Sequence, residues 1–363
     1  MSLDGVSSGS EAFIITVISQ LLPARPLIVV CPTVQIQEQV HHELKTWLPY
    51  FTNSALQAPD PQFFPAWDVL PHESRLPHAD VLSERLETLI HLAKTQKKAT
   101  PSPLVVANGI GFLQRSFTQS ELKKRFRNFA LADQIDPMDL VEWLEDQGYE
   151  PEAQVTQKGE IALRGGILDV FPLTSPWPIR FEFFGNEIES LRTFDPQTQV
   201  SREKIKQAVI SPGGELGILK QQLSNNPNYE TTSLTGHLKN NPIYVFIEPE
   251  EIEERTIDYL EQVPKADTFH NTWKETIQLA HENGTVVEIR EAANNSELTI
   301  QNLEHYRPLG QTSLEAEVAE KQRRDFFDQL HRWLRGNHQV WVICSTKAEL
   351  QRFDELWGEY GFD

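Results

Sequence analysis

Four five-residue runs constrain the fold of this chain more than any other feature. Leu27–Cys31 (LIVVC), residues 103–107 (PLVVA), Ile243–Ile247 (IYVFI) and residues 340–344 (VWVIC) are apolar at every position. A strand with one wet face alternates, so a continuous apolar run predicts a strand buried on both faces, as in a parallel sheet. Helical patterns lie between the runs. Residues 12–22 are apolar and of helix length, residues 34–48 place Val34, Val40, Leu44 and Leu48 at helical spacing, and residues 79–93 line up Val81, Leu82, Leu86, Leu89 and Ile90. Strands alternating with helices predict an α/β fold with a doubly wound parallel sheet. Helices are also expected over 315–334 and 347–357, and a polar loop over 224–241.

The middle of the chain has a different period. After a helix expected at 137–147, residues 179–184 (IRFEFF) alternate with period two, Gly185-Asn186 follows, and residues 187–191 alternate again. A Gly-Asn pair between such runs predicts a hairpin. Pro212-Gly213-Gly214 then punctuates the return to α/β texture. Residues 118–212 therefore read as an α+β domain with an antiparallel sheet, inserted into an α/β domain made from residues 1–117 and 213–363. At roughly 100–200 residues per domain, 363 residues accommodate this division.

The formal charge of −19 argues against the whole chain gripping a nucleic-acid backbone by itself. The acidity is concentrated in residues 213–363, with 14 basic and 26 acidic residues, against a net −5 in residues 118–212 and −2 in residues 1–117. The basic clusters Lys97-Lys98, Lys123-Lys124-Arg125 and Arg323-Arg324 stand among acids and read as solvated faces. Cys31 and Cys344 are the two cysteines, both in apolar runs, which suits buried thiols in a reducing compartment. No apolar run reaches the ~18–20 residues of a membrane span and no secretory signal opens the sequence, so a cytoplasmic protein without a membrane partner is expected. The eleven histidines show no metal-site spacing.

Two places resemble a nucleotide site that has lost its chemistry. Residues 5–12 (GVSSGSEA) run into a helix like a phosphate loop, with Gly5 and Gly9 as glycines. Ser10 stands at the second glycine of that pattern, Glu11 at its lysine and Ala12 at its Mg²⁺-binding hydroxyl. Glu11 would oppose phosphate and Ala12 offers no ligand; a serine-rich helix cap accounts for the segment equally well. The run ending at Ile247 is followed by Glu248-Pro249-Glu250-Glu251, with Ile247 where a helicase-like ATPase carries its Mg²⁺-organising aspartate. The expectation is a chain that does not hydrolyse nucleotide and holds no cofactor or metal.

In residues 179–184, alternation turns Ile179, Phe181 and Phe183 to one face and Arg180, Glu182 and Phe184 to the other. The first set suits a core; exposed Phe beside Arg suits an interface. Cover by another element, with Arg180 paired internally, is the equal alternative. Arg164-Gly165-Gly166 reads as a turn between strands, with Arg164 solvated.

These segments carry a resemblance. RGGILDVFP (residues 164–172) and IRFEFFGNEIESLRTFDPQTQ (residues 179–199) are similar to the middle domain shared by the excision-repair helicase UvrB and the bacterial transcription-repair coupling factors (Mfd). The block FFPAWDVLPHESRLPHADVLSERLETL (residues 63–89) resembles the coupling factors, whereas UvrB would show an intact phosphate loop and a tyrosine-rich β-hairpin. The resemblance implies a UvrB-like module: a degenerate P-loop-helicase-like α/β domain with an inserted UvrA-binding domain. It implies UvrA contact through Arg164, Arg180 and Phe184, with Glu182 and Glu189 at the rim. It also implies a longer parent, of which 363 residues would be a fragment, with an ATP- and Mg²⁺-using DNA translocase motor, an RNA-polymerase contact and a C-terminal domain that masks the UvrA surface. A monomer is expected. The competing expectations are a UvrB-type ATP-dependent enzyme that loads onto damaged DNA, and a structural module that only restrains the motor.

Overall fold

The computed structural model describes residues 1–51, 58–95, 102–292, 316–338, 340, 342, 344 and 346–360. The expected strand at 340–344 falls partly on residues 341 and 343, outside the described residues, as do Lys97 and Lys98.

The apolar runs form the centre of a six-stranded parallel sheet. Its order is Ser2–Asp4, Thr285–Arg290, Ile243–Ile247, Leu27–Cys31, Leu104–Asn108, Gln62–Phe64. Every neighbouring pair is parallel. The burial pattern explains the composition. Ile28, Val30, Val105, Ala107, Tyr244 and Phe246 enter the hydrophobic core on one side. Their neighbours Leu27, Val29, Cys31, Leu104, Val106, Ile243, Val245 and Ile247 enter the core on the other. A polar residue on either face would cost a buried hydrogen-bonding group, so both registers of the strand are apolar. The helices Glu11–Leu21, Val34–Phe51 and Ala79–Thr95 form where helical spacing predicted them. Strands before residue 110 and after residue 240 pair directly, Ile243 with Leu27 and Tyr244 with Ile28, so one sheet is built from both ends of the chain.

Between them lies a second sheet, in the order Ser201–Lys204, Glu187–Phe194, Ile179–Phe184, Ile167–Val170, Glu160–Arg164, Glu150–Pro151. It is antiparallel apart from the pairing of its last two strands. The helix Pro137–Asp146, capped by the Asp136 side chain, covers its inner face with Leu140 and Leu144. This unit docks on the helix Ala79–Thr95: Ser83 Oγ donates to the Leu173 carbonyl at 2.5 Å, and Lys158 Nζ reaches Ser83 Oγ at 2.9 Å. The return passes through Gly213, where a Cβ would stand 2.7 Å from the Tyr149 ring; only glycine lets the backbone pass that close.

The polar stretch 224–241 is not the loop that composition suggests. Thr231–Ser233 pairs with Arg115–Phe117, and a 3₁₀ turn over Leu234–His237 buries Leu234, Thr235 and His237. Arg115 donates to both the hydroxyl and the carbonyl of Thr231 at 2.8 Å, which satisfies polar groups that composition counts as surface. Burial pushes His237 down to about 4, so its imidazole is neutral near pH 7.

At the C-terminal end, the helices Ala316–Arg335 and Lys347–Tyr360 bury Phe327, Leu330 and Leu356 between them, with Tyr360 stacked on Phe327 at 5.6 Å. Among the described residues, no helix is long and apolar enough to cross a membrane, and no three His, Cys, Asp or Glu side chains are grouped to hold a metal ion.

Candidate partner-binding surface

Two hairpin tips stand side by side at one end of the antiparallel sheet. The first joins Glu160–Arg164 to Ile167–Val170 through Gly165 and Gly166, with Arg164 opposite Ile167. The second joins Ile179–Phe184 to Glu187–Phe194 through Gly185 and Asn186, with Phe184 opposite Glu187. Gly165 (φ +62°) and Gly185 (φ +58°) adopt the left-handed backbone such turns demand. The strands Ile167–Val170 and Ile179–Phe184 are neighbours, and the Phe183 N–H donates to the Gly166 carbonyl at 2.8 Å, which ties one tip to the other.

Alternation places the side chains as their spacing predicted. Phe181 is fully buried, edge-on to Phe129 at 5.6 Å. Phe184 is 80 % exposed at the tip, and Ile167, opposite Glu182 on the neighbouring strand, is also exposed. A bulge on the partner strand, where Glu182 faces Ser190 and Phe183 faces Ile188, leaves Glu189 without a partner in the ladder. Glu182 is not a free rim acid: Arg192 donates to it at 3.1 Å.

Arg180 follows the alternative in which it is paired internally, and Arg164 departs from the solvated turn residue expected. Arg180 donates from Nε and Nη2 to the two oxygens of Asp169, at 2.7 and 2.8 Å, and its guanidinium lies 4.5 Å over the Phe194 ring. Arg164, expected to be solvated, donates from Nη2 to Asp169 Oδ2 at 2.8 Å. Two arginines thus share one carboxylate. The hydrogen bonds to Asp169 push Arg180 up from its ordinary range and keep it charged. Arg180 Nη1 donates a long hydrogen bond to the Gln199 carbonyl at 3.5 Å, and Arg164 remains about half exposed. Asp169 carried no signal in the sequence beyond its place in an alternating strand.

The resemblance to a nucleotide site has a different outcome. Gly9 is left-handed at φ +90°, and its N–H donates to Glu11 Oε2 at 2.6 Å. The loop's own carboxylate therefore occupies a donor that a phosphate-binding loop would offer to its ligand. Burial raises the Glu11 carboxyl above its ordinary range, against backbone N–H groups that favour the anion. Ser10 caps nothing with its side chain, contrary to the helix-cap alternative; its hydroxyl meets that of Ser7 at 3.0 Å. Gly5 is left-handed at φ +78°. Ala12 and Ile247 are buried in the same hydrophobic core, and Glu248, left-handed at φ +50°, accepts the Glu291 N–H at 2.5 Å. Of the basic clusters, Lys124 pairs with Glu121, Arg125 stacks on Phe117 at 5.0 Å and Arg324 pairs with Glu320.

A second site lies where no motif pointed. Arg85 and Glu215 are both fully buried, and Arg85 donates to both carboxylate oxygens at 2.7 and 3.0 Å. Trp67 Nε1 donates to the same carboxylate at 2.9 Å, and the Arg85 guanidinium lies between the Phe64 and Trp67 rings at 4.2 and 4.7 Å. Phe64, Trp67 and Arg85 all come from the block at residues 63–89, so that block reads as the socket for Glu215.

Residues 128–215 match the family model of the UvrB interaction domain. The matched stretch takes in the antiparallel sheet, including both hairpin tips, and that sheet is set into the parallel α/β fold. The chain is similar to transcription-repair-coupling factors: it is 35 % identical over 164 residues to that of Haemophilus influenzae, covering 45 % of this chain and 14 % of the relative. With the factor of Escherichia coli K12 it shares 30 % over 192 residues, covering 53 % and 16 %, and with that of Staphylococcus aureus MRSA252 33 % over 163 residues, covering 45 % and 13 %. The matched stretch is thus about a seventh of the length of these relatives.

Proposed function

We propose that this chain is a non-catalytic, UvrB-like recruitment module of a transcription-repair coupling factor, and that it binds UvrA through the paired hairpin tips. In this reading residues 118–212 are the binding domain and residues 1–117 and 213–363 the degenerate ATPase-like domain that presents it. Phe184 is the anchor, with Arg164 and Arg180 beside it. The observation that carries the reading is an 80 % exposed phenylalanine at the tip of a hydrogen-bonded double hairpin, within the stretch that matches the UvrB interaction domain. A large aromatic held in water is an anchor in want of a pocket. The longer parent would supply the ATP- and Mg²⁺-dependent DNA translocase, the contact with stalled RNA polymerase and the domain that masks this surface, all in the cytoplasm.

Titration of UvrA against the chain tests the anchor. Phe184→Ala is expected to weaken binding by ~2 kcal/mol, about thirtyfold. Equal affinity of wild type and variant would remove Phe184 from the site. The chain is also expected to turn over no ATP, because Glu11 closes the loop and Ala12 and Ile247 put hydrocarbon where metal ligands would stand. DNA-stimulated phosphate release by purified chain, lost on Glu11→Gln, would overturn that expectation and favour the UvrB-type enzyme.

A further inference from the structure

Asp169 is fully buried, yet the two arginines of the proposed UvrA surface both end on it. A carboxylate accepts at about four lone-pair sites, and guanidinium N–H groups fill three of those of Asp169. One negative charge shared by two positive ones leaves an excess of one, and that excess lies on the outward parts of the guanidiniums. Arg180, only 15 % exposed, is fixed on one side by Asp169 and on the other by the Phe194 ring. Arg164 reaches the same carboxylate from the strand beyond, which brings its free N–H groups alongside. An arginine that docks from solvent loses rotamer freedom on binding, whereas one already clamped has little left to lose.

We infer that Asp169 is a positioning residue for UvrA recognition, holding Arg164 and Arg180 together beside the hairpin tips so that they meet a carboxylate-bearing surface ready-oriented. The inference rests on the UvrA-binding reading and adds a residue that itself touches nothing outside the chain. It also sets the chemistry of the partner patch: an apolar pocket for Phe184, with acid beside it for the surplus positive charge.

The test titrates UvrA against the whole chain as wild type, Asp169→Asn, Arg180→Lys and Phe184→Ala, with circular dichroism on each. Asp169→Asn keeps the shape but loses the charge, and Arg180→Lys keeps the charge but cannot bridge two oxygens. Each is expected to weaken binding about tenfold while the fold is retained. In an Arg164→Ala/Arg180→Ala background, adding Asp169→Asn is expected to change affinity by less than about twofold, since nothing is left to position. A merely structural Asp169 would lower affinity by the same factor in both backgrounds, and that result overturns the inference. If Phe184→Ala weakens binding while Asp169→Asn and Arg180→Lys bind like wild type, the positioning role fails and the binding surface stands. If Phe184→Ala also binds like wild type, the surface reading itself fails. Should Asp169→Asn not fold, Arg180→Lys decides alone: full affinity rejects the clamp and a tenfold loss supports it.

Discussion

Arg85→Ala is expected to destabilise the parallel α/β unit by about 3–5 kcal/mol, the range for breaking a buried ion pair by removing one partner. The loss does not measure how strongly the pair attracts. Glu215 is fully buried, and without Arg85 its charge would face Trp67 Nε1 as its main remaining donor. Burial pushes the Glu215 carboxyl up, but Arg85 more than offsets it and holds the group below its ordinary 4.5. The sign follows: a carboxyl depressed in the folded state contributes stability above its unfolded value and loses it as pH falls through the folded one. The pair therefore contributes fully at pH 6–8, and the gap between wild type and Arg85→Ala should be flat across that window in urea unfolding. Arg85→Met with Glu215→Leu should recover much of the single-variant loss, because two apolar side chains leave no buried charge. A single-variant loss under about 1 kcal/mol would mean that water reaches the pair and that the socket is not a closed one.

The location of this pair explains why the block at residues 63–89 matters to the surface beyond it. Glu215 stands at the entry to the helix Leu216–Asn225, directly after Pro212-Gly213-Gly214, and Arg85 projects from the same helix on which Ser83 meets Leu173 and Lys158. The antiparallel unit is thus tied down at its exit and along its flank by one helix. That helix orients the hairpin tips relative to the parallel sheet.

What the sequence reveals depends on how local the cause is. The strands Leu27–Cys31 and Ile243–Ile247 are legible because each side chain meets a core, whichever face it points to. The strands Ser2–Asp4 and Gln62–Phe64 are not, because three residues at a sheet edge cannot display a period. Phe184 is legible as outward-facing because alternation is a nearest-neighbour property. Asp169 and Glu215 are not, because their partners are set by the fold: 11 residues away across a strand pair for Arg180, and 130 residues away for Arg85. An acid after Pro-Gly-Gly has the composition of a solvated turn, and only the tertiary structure reveals that it is buried against Arg85 and Trp67. The same limit applies to Arg164, which two glycines made look like a turn residue in water.

Phe181 and Phe184 are three residues apart on one strand, and they separate structure from recognition. Phe181→Ala is expected to cost about 3–5 kcal/mol, the range for emptying a buried aromatic site. Its ring is sealed between Phe129 and Phe183 at 5.6 and 6.4 Å, in the core that Leu140 and Leu144 of the covering helix close. Phe184→Ala removes a ring that is mostly in water, so its stability should stay within about 0.5 kcal/mol of wild type. The two variants should therefore fail in opposite assays. Phe181→Ala is expected to lower the unfolding midpoint of the antiparallel unit, followed by near-ultraviolet circular dichroism, and, under the proposed function, to bind UvrA only in proportion to the folded fraction. Phe184→Ala unfolds like wild type and binds weakly at every temperature. If Phe184→Ala proved as unstable as Phe181→Ala, its ring would be packed in solution and its loss of binding would carry no information about the site. If Phe181→Ala kept full stability, the helix Pro137–Asp146 would have to collapse onto the vacated space, and the hairpin platform beneath the tips would be softer than its packing implies.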